Sequence, residues 1–503
     1  MSVLRRNIFA NYAGQIWMAL MGVVFVPLYI RVLGMEAFGL VGLMLSIQTL
    51  STLLDFGAGG LLNREISRRI HRPEDAQSLR TLVRTFESLL WPMAALIAVT
   101  TWLLSAPLAN HWLHPQALSR EETAHAIAVM GLAIALVWPS NFYVNGLSGL
   151  ERQPTLSLIN AVFATLRGAG VLAVLYWISP TISAFMWWYA AMGAGQSLVS
   201  AVMLWRLLPA SGRRAMFSAK EMAGSRRFAG GLVAISVLSI AVMQLDRIVI
   251  SALRPLEELG YFSLALSVAA GVGRMIQPMF NALYPRYSRL VAADDYKALT
   301  HLYHLSNQYL AIVIAAVSAV LMVFSRDVIY LWTGDAATAA KIAMPLSILV
   351  AGTALNGLMN LPYALQLAHG WTRLAVWTNL VALVLGIPFC IWAVSHYGIV
   401  GAACLWLATN LGFVMIGIPL MHRRLMRSEM ANWYLRDTLP PFLVAALMAL
   451  LLRWITPELA RDLAGLFSLA AISAATLFVT ALAAAPVRAL AYQRLTSLSA
   501  AKR

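Results

Sequence analysis

The sequence predicts an all-α polytopic membrane protein of about 14 transmembrane helices, arranged as two pseudo-symmetric six-helix lobes plus two extra C-terminal helices. Three observations predict it. The 503 residues are 60% hydrophobic and 12% charged, where a soluble domain carries about 25% charged residues. Apolar runs of the ~20 residues needed to cross a bilayer recur along the chain. Basic residues gather in alternate connections between those runs, the bias that sets orientation at an anionic membrane face.

The runs place spans at 8–30, 38–60, 85–107, 124–146, 156–178, 183–205, 229–253, 259–284, 303–324, 342–365, 374–395, 398–420, 439–456 and 464–486. They are continuous rather than alternating, which excludes barrel strands. The eighth is interrupted by polar residues after Gly273, and the thirteenth is short. The first run lacks a small-residue cleavage site and a second run follows closely, so it is a span and not a signal peptide.

Charge then sets the register. With the N terminus inside, only Arg31, Arg120, Arg254, Arg326, Lys341, Arg453 and Arg461 lie outside. Arg167, Arg247 and Arg274 fall within spans, and every other one of the 37 Lys and Arg lies in an inside connection or tail. A missed span would scramble this bias downstream. Both termini are therefore expected in the cytoplasm. The net charge of +16 belongs to these membrane-facing clusters, so no nucleic-acid partner is expected. Cys390 and Cys404 lie inside apolar runs and read as small buried side chains.

The chain also compares with itself. LGMEAFG at 33–39 and ALRPLEELG ending at Gly260 each follow an apolar helix. Each precedes a helix that ends near a basic patch, NREISRR at 63–69 or YPRYSRL at 284–290. Two parallel repeats follow from this. The expected parts are a lobe at 1–206, an inter-lobe linker at 207–228, a second lobe at 229–421, and helices 13–14 with a tail at 422–503.

Charged groups within a span are costly unless they face a partner or water. Arg167, Arg247 and Arg274 are candidate anion ligands in a cavity, because a guanidinium fork matches phosphate oxygens. The competing reading pairs them structurally or lets them snorkel to an interface. Asp246 neighbours Arg247 and reads as the clearly embedded acid of the chain. Asn7, Asn11 and Gln15 recur at i,i+4 and share a face, and Gln48, Gln244, Gln277 and Asn281 extend the polar lining. Such a lining, rich in amides and arginine, suits a large sugar-bearing anion better than a cation. Asp55 reads as a cap for the helix near Gly57–Gly60. Pro27 and Pro278 interrupt helices and are structural or gating candidates. His301 and His304, near Asp294 and Asp295, read as a solvated helix entrance and not as a metal site. No metal, cofactor, Walker motif or catalytic grouping is expected.

The N-terminal stretch contains PLYIRVLG, E-x-F-G and LDFGAGGLLNREI, and the middle contains MQLDRIVISALRPLEELGYFSLALSV. These resemble the openings of the two halves of bacterial polysaccharide-biosynthesis flippases. That family is part of the multidrug/oligosaccharidyl-lipid/polysaccharide exporter superfamily, and its plan covers essentially the whole chain. The resemblance implies no enzyme activity. It implies a flippase that moves an undecaprenyl-pyrophosphate-linked oligosaccharide to the outer leaflet by alternating access. A polysaccharide polymerase and a chain-length regulator would share the membrane. The coupling ion, Na⁺ or H⁺, stays open. So do three other readings: a peptidoglycan lipid-intermediate flippase, a cation-coupled multidrug extruder, and an integral-membrane glycan polymerase or ligase.

Overall fold

The structure, a computed structural model, describes residues 3–55, 57–70, 72–219 and 226–483. The described elements are helical throughout. In chain order they are α1 (Val3–Ser51), α2 (Ala58–Arg69), α3 (Ala76–Pro107), α4 (Arg120–Gly149), α5 (Gln153–Trp177), α6 (Ile182–Leu207), α7 (Arg226–Leu253) and α8 (Leu256–Ala292). Then come α9 (Tyr296–Val323), α10 (Ser325–Thr333), α11 (Ala336–Ala368), α12 (Arg373–Gly412), α13 (Ile418–Leu425), α14 (Met430–Asn432), α15 (Leu439–Ile455) and α16 (Leu463–Ala483).

Among the described residues, 11 helices are long and apolar enough to cross a membrane. Two of them each contain two spans, because Gly34 (φ 84°) and Gly398 (φ 56°) break the helix at a single residue. Positive φ at these joints favours glycine. α6, 26 residues long, lies outside that set of 11. Two of the expected spans proved more regular than their sequences. α8 runs unbroken for 37 residues through Gly271, Gly273 and Pro278. The thirteenth span extends back to Met430, over 26 residues, through a π-helical turn at Trp433–Thr438. The second span ends at Asp55, earlier than expected, and Gly57 (φ 78°) starts the separate basic helix α2.

The chain divides into two compact units, Met1–Gly260 and Tyr261–Arg503. In the first, α4 is the central helix, buried along most of its length from Thr123 to Gly149. Small residues let its neighbours approach, as membrane helices require. A Cβ on Gly193 would lie 2.4 Å from Val137, and one on Gly131 would lie 2.3 Å from Thr101. Trp138, Phe142 and Tyr143 fill the core with Leu62, Leu79 and Leu204. A closer crossing joins the two repeated motifs. A Cβ on Gly39 would sit 2.3 Å from the Leu256 carbonyl oxygen, and one on Gly260 would sit 2.2 Å from that of Met35. Met35 and Leu256 each stand four residues before the glycine of their own motif, so the contact is reciprocal.

In the second unit, Val272, Ile276, Leu283 and Tyr287 of α8 bury one helical face against Leu310, Ile314, Leu358 and Leu361. α15 packs on α9 through alanines, Ala445 and Ala449 against Ala315 and Ala319. Asp327 of α10, 6% exposed, anchors the far end of that contact. It accepts from Arg453 at 3.0 Å and from the Leu459 N–H at 3.0 Å.

Candidate functional site

α5 and α6 place Arg167 in a network without an acid. Its Nη2 donates to Gln196 Oε1, and Gln196 Nε2 donates to Asn160 Oδ1 at 3.1 Å. The guanidinium carbon lies 5.0 Å from the centre of the Tyr189 ring, a cation–π distance. The Arg167 Nε is buried without a hydrogen-bond partner. The next residue, Gly168, is held by its carbonyl, which accepts from Tyr29 Oη at 3.2 Å.

Arg247 is likewise held by neutral groups. Its Nη1 donates to Gln244 Oε1 at 2.7 Å and to Ser46 Oγ at 3.4 Å. Asp246, 5% exposed, does not pair with that guanidinium. Its Oδ1 accepts the Arg247 backbone N–H at 2.7 Å. Adjacent helical side chains diverge by about 100°, and the Asp246 carboxylate turns back to its own backbone. Arg167 and Arg247 therefore sit in separate networks on different helices.

Arg274 is exposed on α8, in line with Ser267, Gln277, Asn281 and Tyr284. Gln277 Nε2 donates to Asn281 Oδ1 at 3.1 Å, which stiffens the stripe. The buried apolar residues of α8, among them Val272, Ile276 and Leu283, lie on its other face. An arginine at a helix centre costs about 2.5–3.5 kcal/mol against hydrocarbon even on lenient scales. This stripe therefore belongs in water or against a polar surface.

Gln48 is half-buried on the same helical segment as Ser46, and Gln15 is exposed. The side chains of Asn7 and Asn11 lie outside the described residues. Asp55 Oδ2 accepts the Gly59 N–H at 3.3 Å at the start of α2. Pro27 and Pro278 lie inside continuous helices.

Two expectations are corrected. Asp246 is not alone as an embedded acid. Glu87, 6% exposed on α3, accepts from Trp205 Nε1 at 2.7 Å and Tyr143 Oη at 3.0 Å, and pairs with Arg84 at 3.0 Å. Arg80 and Arg84 both stack on Trp205, each 5.1 Å from the ring centre. The Arg84–Glu87 spacing of i,i+3 was the available signal for this cluster. His304, second, is not a solvated helix entrance. It meets Asp437 and Glu429, far away in sequence, and neither Asp294 nor Asp295. Asp295 instead caps α9 through the Ala298 N–H at 3.0 Å.

Glu36 of the E-x-F-G motif was also missed as a working residue. Its carboxylate accepts three backbone N–H groups, from Gln116 (2.8 Å), Ala117 (2.7 Å) and Leu118 (3.2 Å). It thereby satisfies the connection between α3 and α4.

Eleven helices long and apolar enough to cross a membrane, among the described residues, define a multi-pass membrane protein. The chain belongs to the polysaccharide biosynthesis protein family, whose family model matches residues 4–291. A second family model, MatE, matches residues 232–392. A Shigella flexneri protein named "Putative O-antigen transporter" is 21% identical over 406 residues, covering 81% of this chain and 94% of that protein. Among solved structures, the lipid II flippase MurJ in an inward closed conformation aligns over 97% of this chain and 99% of its own, at 12% identity and a TM-score of 0.67. An inward-facing multidrug resistance MATE family transporter of the MOP superfamily aligns over 83% and 96%, at 14% identity and a TM-score of 0.66. These likenesses identify the fold.

Proposed function

We propose that this protein flips an undecaprenyl-pyrophosphate-linked oligosaccharide repeat unit from the cytoplasmic to the outer leaflet of the bacterial inner membrane by alternating access. The product would feed synthesis of an O-antigen-like surface polysaccharide. The family match and the O-antigen relative favour that substrate class. The observation that carries the reading is the absence of a carboxylate on three membrane-embedded arginines. Among the described residues, Arg167 and Arg247 bond only to amides, a hydroxyl and a ring face, and Arg274 lies exposed on a polar stripe. Guanidinium groups that are not ion-paired with a carboxylate suit a pyrophosphate. They suit a cationic drug poorly. Gln48 and Gln15 are proposed to extend the polar lining, with Asp55, Pro27 and Pro278 in structural or gating roles. The six-helix lobes at 1–206 and 229–421 are proposed as the moving bodies, and both termini are placed in the cytoplasm. The reciprocal Gly39–Gly260 crossing supports the repeat.

Transport of a defined lipid-linked oligosaccharide by purified protein in proteoliposomes tests this. Arg167→Gln, Arg247→Gln and Arg274→Gln should each slow transfer about tenfold or more, the scale of one lost charge-assisted bond. Protein abundance should be unchanged. Wild-type rates in all three variants would remove the anion site. Transfer of lipid II but not of the oligosaccharide carrier would replace the substrate.

A further inference from the structure

His304 lies between two carboxylates that approach opposite edges of its ring. Nδ1 is 2.5 Å from Asp437 Oδ2, and Nε2 is 3.0 Å from Glu429 Oε2. Asp437 is 1% exposed, and its other oxygen accepts from Gln308 Nε2 at 2.7 Å. Glu429 Oε2 also accepts from Asn432 Nδ2 at 2.8 Å, and its Oε1 accepts from Ser428 Oγ at 2.9 Å. Asn432 does most to hold the Glu429 carboxyl below its usual range, with Ser428 and His304 adding to this and burial opposing it.

A neutral imidazole has one N–H, so it can donate to only one of these carboxylates. Its other nitrogen would then point a lone pair at an anionic oxygen. Both contacts are satisfied only when the site holds one further proton, on the ring or on one of the carboxyls. A metal would need a ring nitrogen and both carboxylates to converge on one point, whereas here the ring stands between them. The ligand that the geometry fits is a proton.

The other titratable group coupled to all three through space is His422. His422 of α13 meets Tyr303 edge to face, its ring 5.9 Å from that of Tyr303 and its Nε2 3.3 Å from Tyr303 Oη, and its Nδ1 lies 3.0 Å from the Ile418 carbonyl oxygen. Tyr287 of α8 shares a 2.6 Å hydrogen bond with Ser306. Arg436, beside Asp437, is exposed, and Arg424 stacks on Trp371. On α11, Tyr363 stacks on Phe280 and Lys341 binds Tyr261. Arg453 of α15 pairs with Asp327, and α16 has no titratable residue. On α9 itself, His301 is exposed one turn before His304.

We propose that His304, Asp437 and Glu429 form a proton-binding site that latches the 429–438 segment, and with it α15, onto α9. Loss of the proton opens the latch. The ring then keeps a single donor, and one carboxylate is left without its bond. The proton is held at low pH and leaves as pH rises. In the orientation proposed above this end faces the cytoplasm, so the latch reads cytoplasmic pH. The site serves no step in the transport reading and stands independently of it.

Hydrogen–deuterium exchange of the purified full-length protein tests the latch, on peptides covering 429–438. It is run at about pH 6 and about pH 8.5, on either side of the histidine range, with rates corrected for intrinsic exchange. Wild type should lose protection at the higher pH by roughly fivefold or more. Glu429→Gln decides between a proton site and ordinary pH sensitivity. The glutamine amide can donate to an unprotonated ring nitrogen, so a neutral ring satisfies both neighbours. Protection in this variant should persist at both pH values. Wild-type protection that ignores pH, or a Glu429→Gln variant that loses protection as wild type does, would overturn the proposal.

Discussion

Glu36 shows how much work one motif side chain performs. Three backbone donors of an outer connection converge on its carboxylate, and each would be left short of a partner without it. Glu36→Ala should lower stability by about 2–3 kcal/mol, the order expected for buried bonds to a charged acceptor. The thermal midpoint of purified protein reads this, and an unchanged midpoint would show that the three bonds add nothing. Residue type and depth made the three arginines visible as candidates, because charge within an apolar run is conspicuous. Their partners were not visible. Gln196, Tyr189 and Asn160 are ordinary residues until α5 and α6 pack, and Asp437 and Glu429 lie more than a hundred positions from His304. The pairing of Asp246 with its own backbone is a matter of side-chain direction, which spacing along one helix leaves open.

At the scale of elements, glycine marks where helices break and where they cross. Gly34 and Gly398 turn the chain with one residue each. Gly39 and Gly260 let two helices meet at backbone distance. Gly39→Ala or Gly260→Ala puts a methyl group against a carbonyl oxygen that cannot swing aside, so each should destabilise by about 1–3 kcal/mol. Gly22→Ala, on the same helix but with nothing within 4 Å of the added Cβ, should be neutral or slightly stabilising. Equal melting shifts in all three would mean that the crossing is not tight. The motif resemblance around these two glycines was legible as a repeat. Their contact with each other was not, since sequence similarity carries no distance. α8 likewise seemed broken by Gly273 and Pro278, yet it runs through both, because buried neighbours on its apolar face stabilise a helix that local propensity weakens.

For the whole molecule, orientation is the sharpest claim. From the alternation of basic connections, residue 211 and the C-terminal tail are expected inside and residue 121 outside. The chain has only Cys390 and Cys404, so a cysteine-free background needs two substitutions. In that background Ser211→Cys and Ser499→Cys should resist an impermeant thiol reagent in intact cells, while Glu121→Cys should react. Labelling at 211 or 499 would reverse the topology. The sequence alone determined a multi-pass, all-helical membrane protein, and it supplied the expected register, basic side and repeat. The reason is physical: a bilayer imposes length and polarity on each span independently of its neighbours. Tertiary structure alone decided which polar groups are partnered. It brought Glu87 under Trp205 and Tyr143, clasped His304 between acids of a distant segment, and hydrogen-bonded Arg167 and Arg247 to neutral groups. Those outcomes depend on which helix faces meet, and close packing of small residues settles that only when the whole chain has folded.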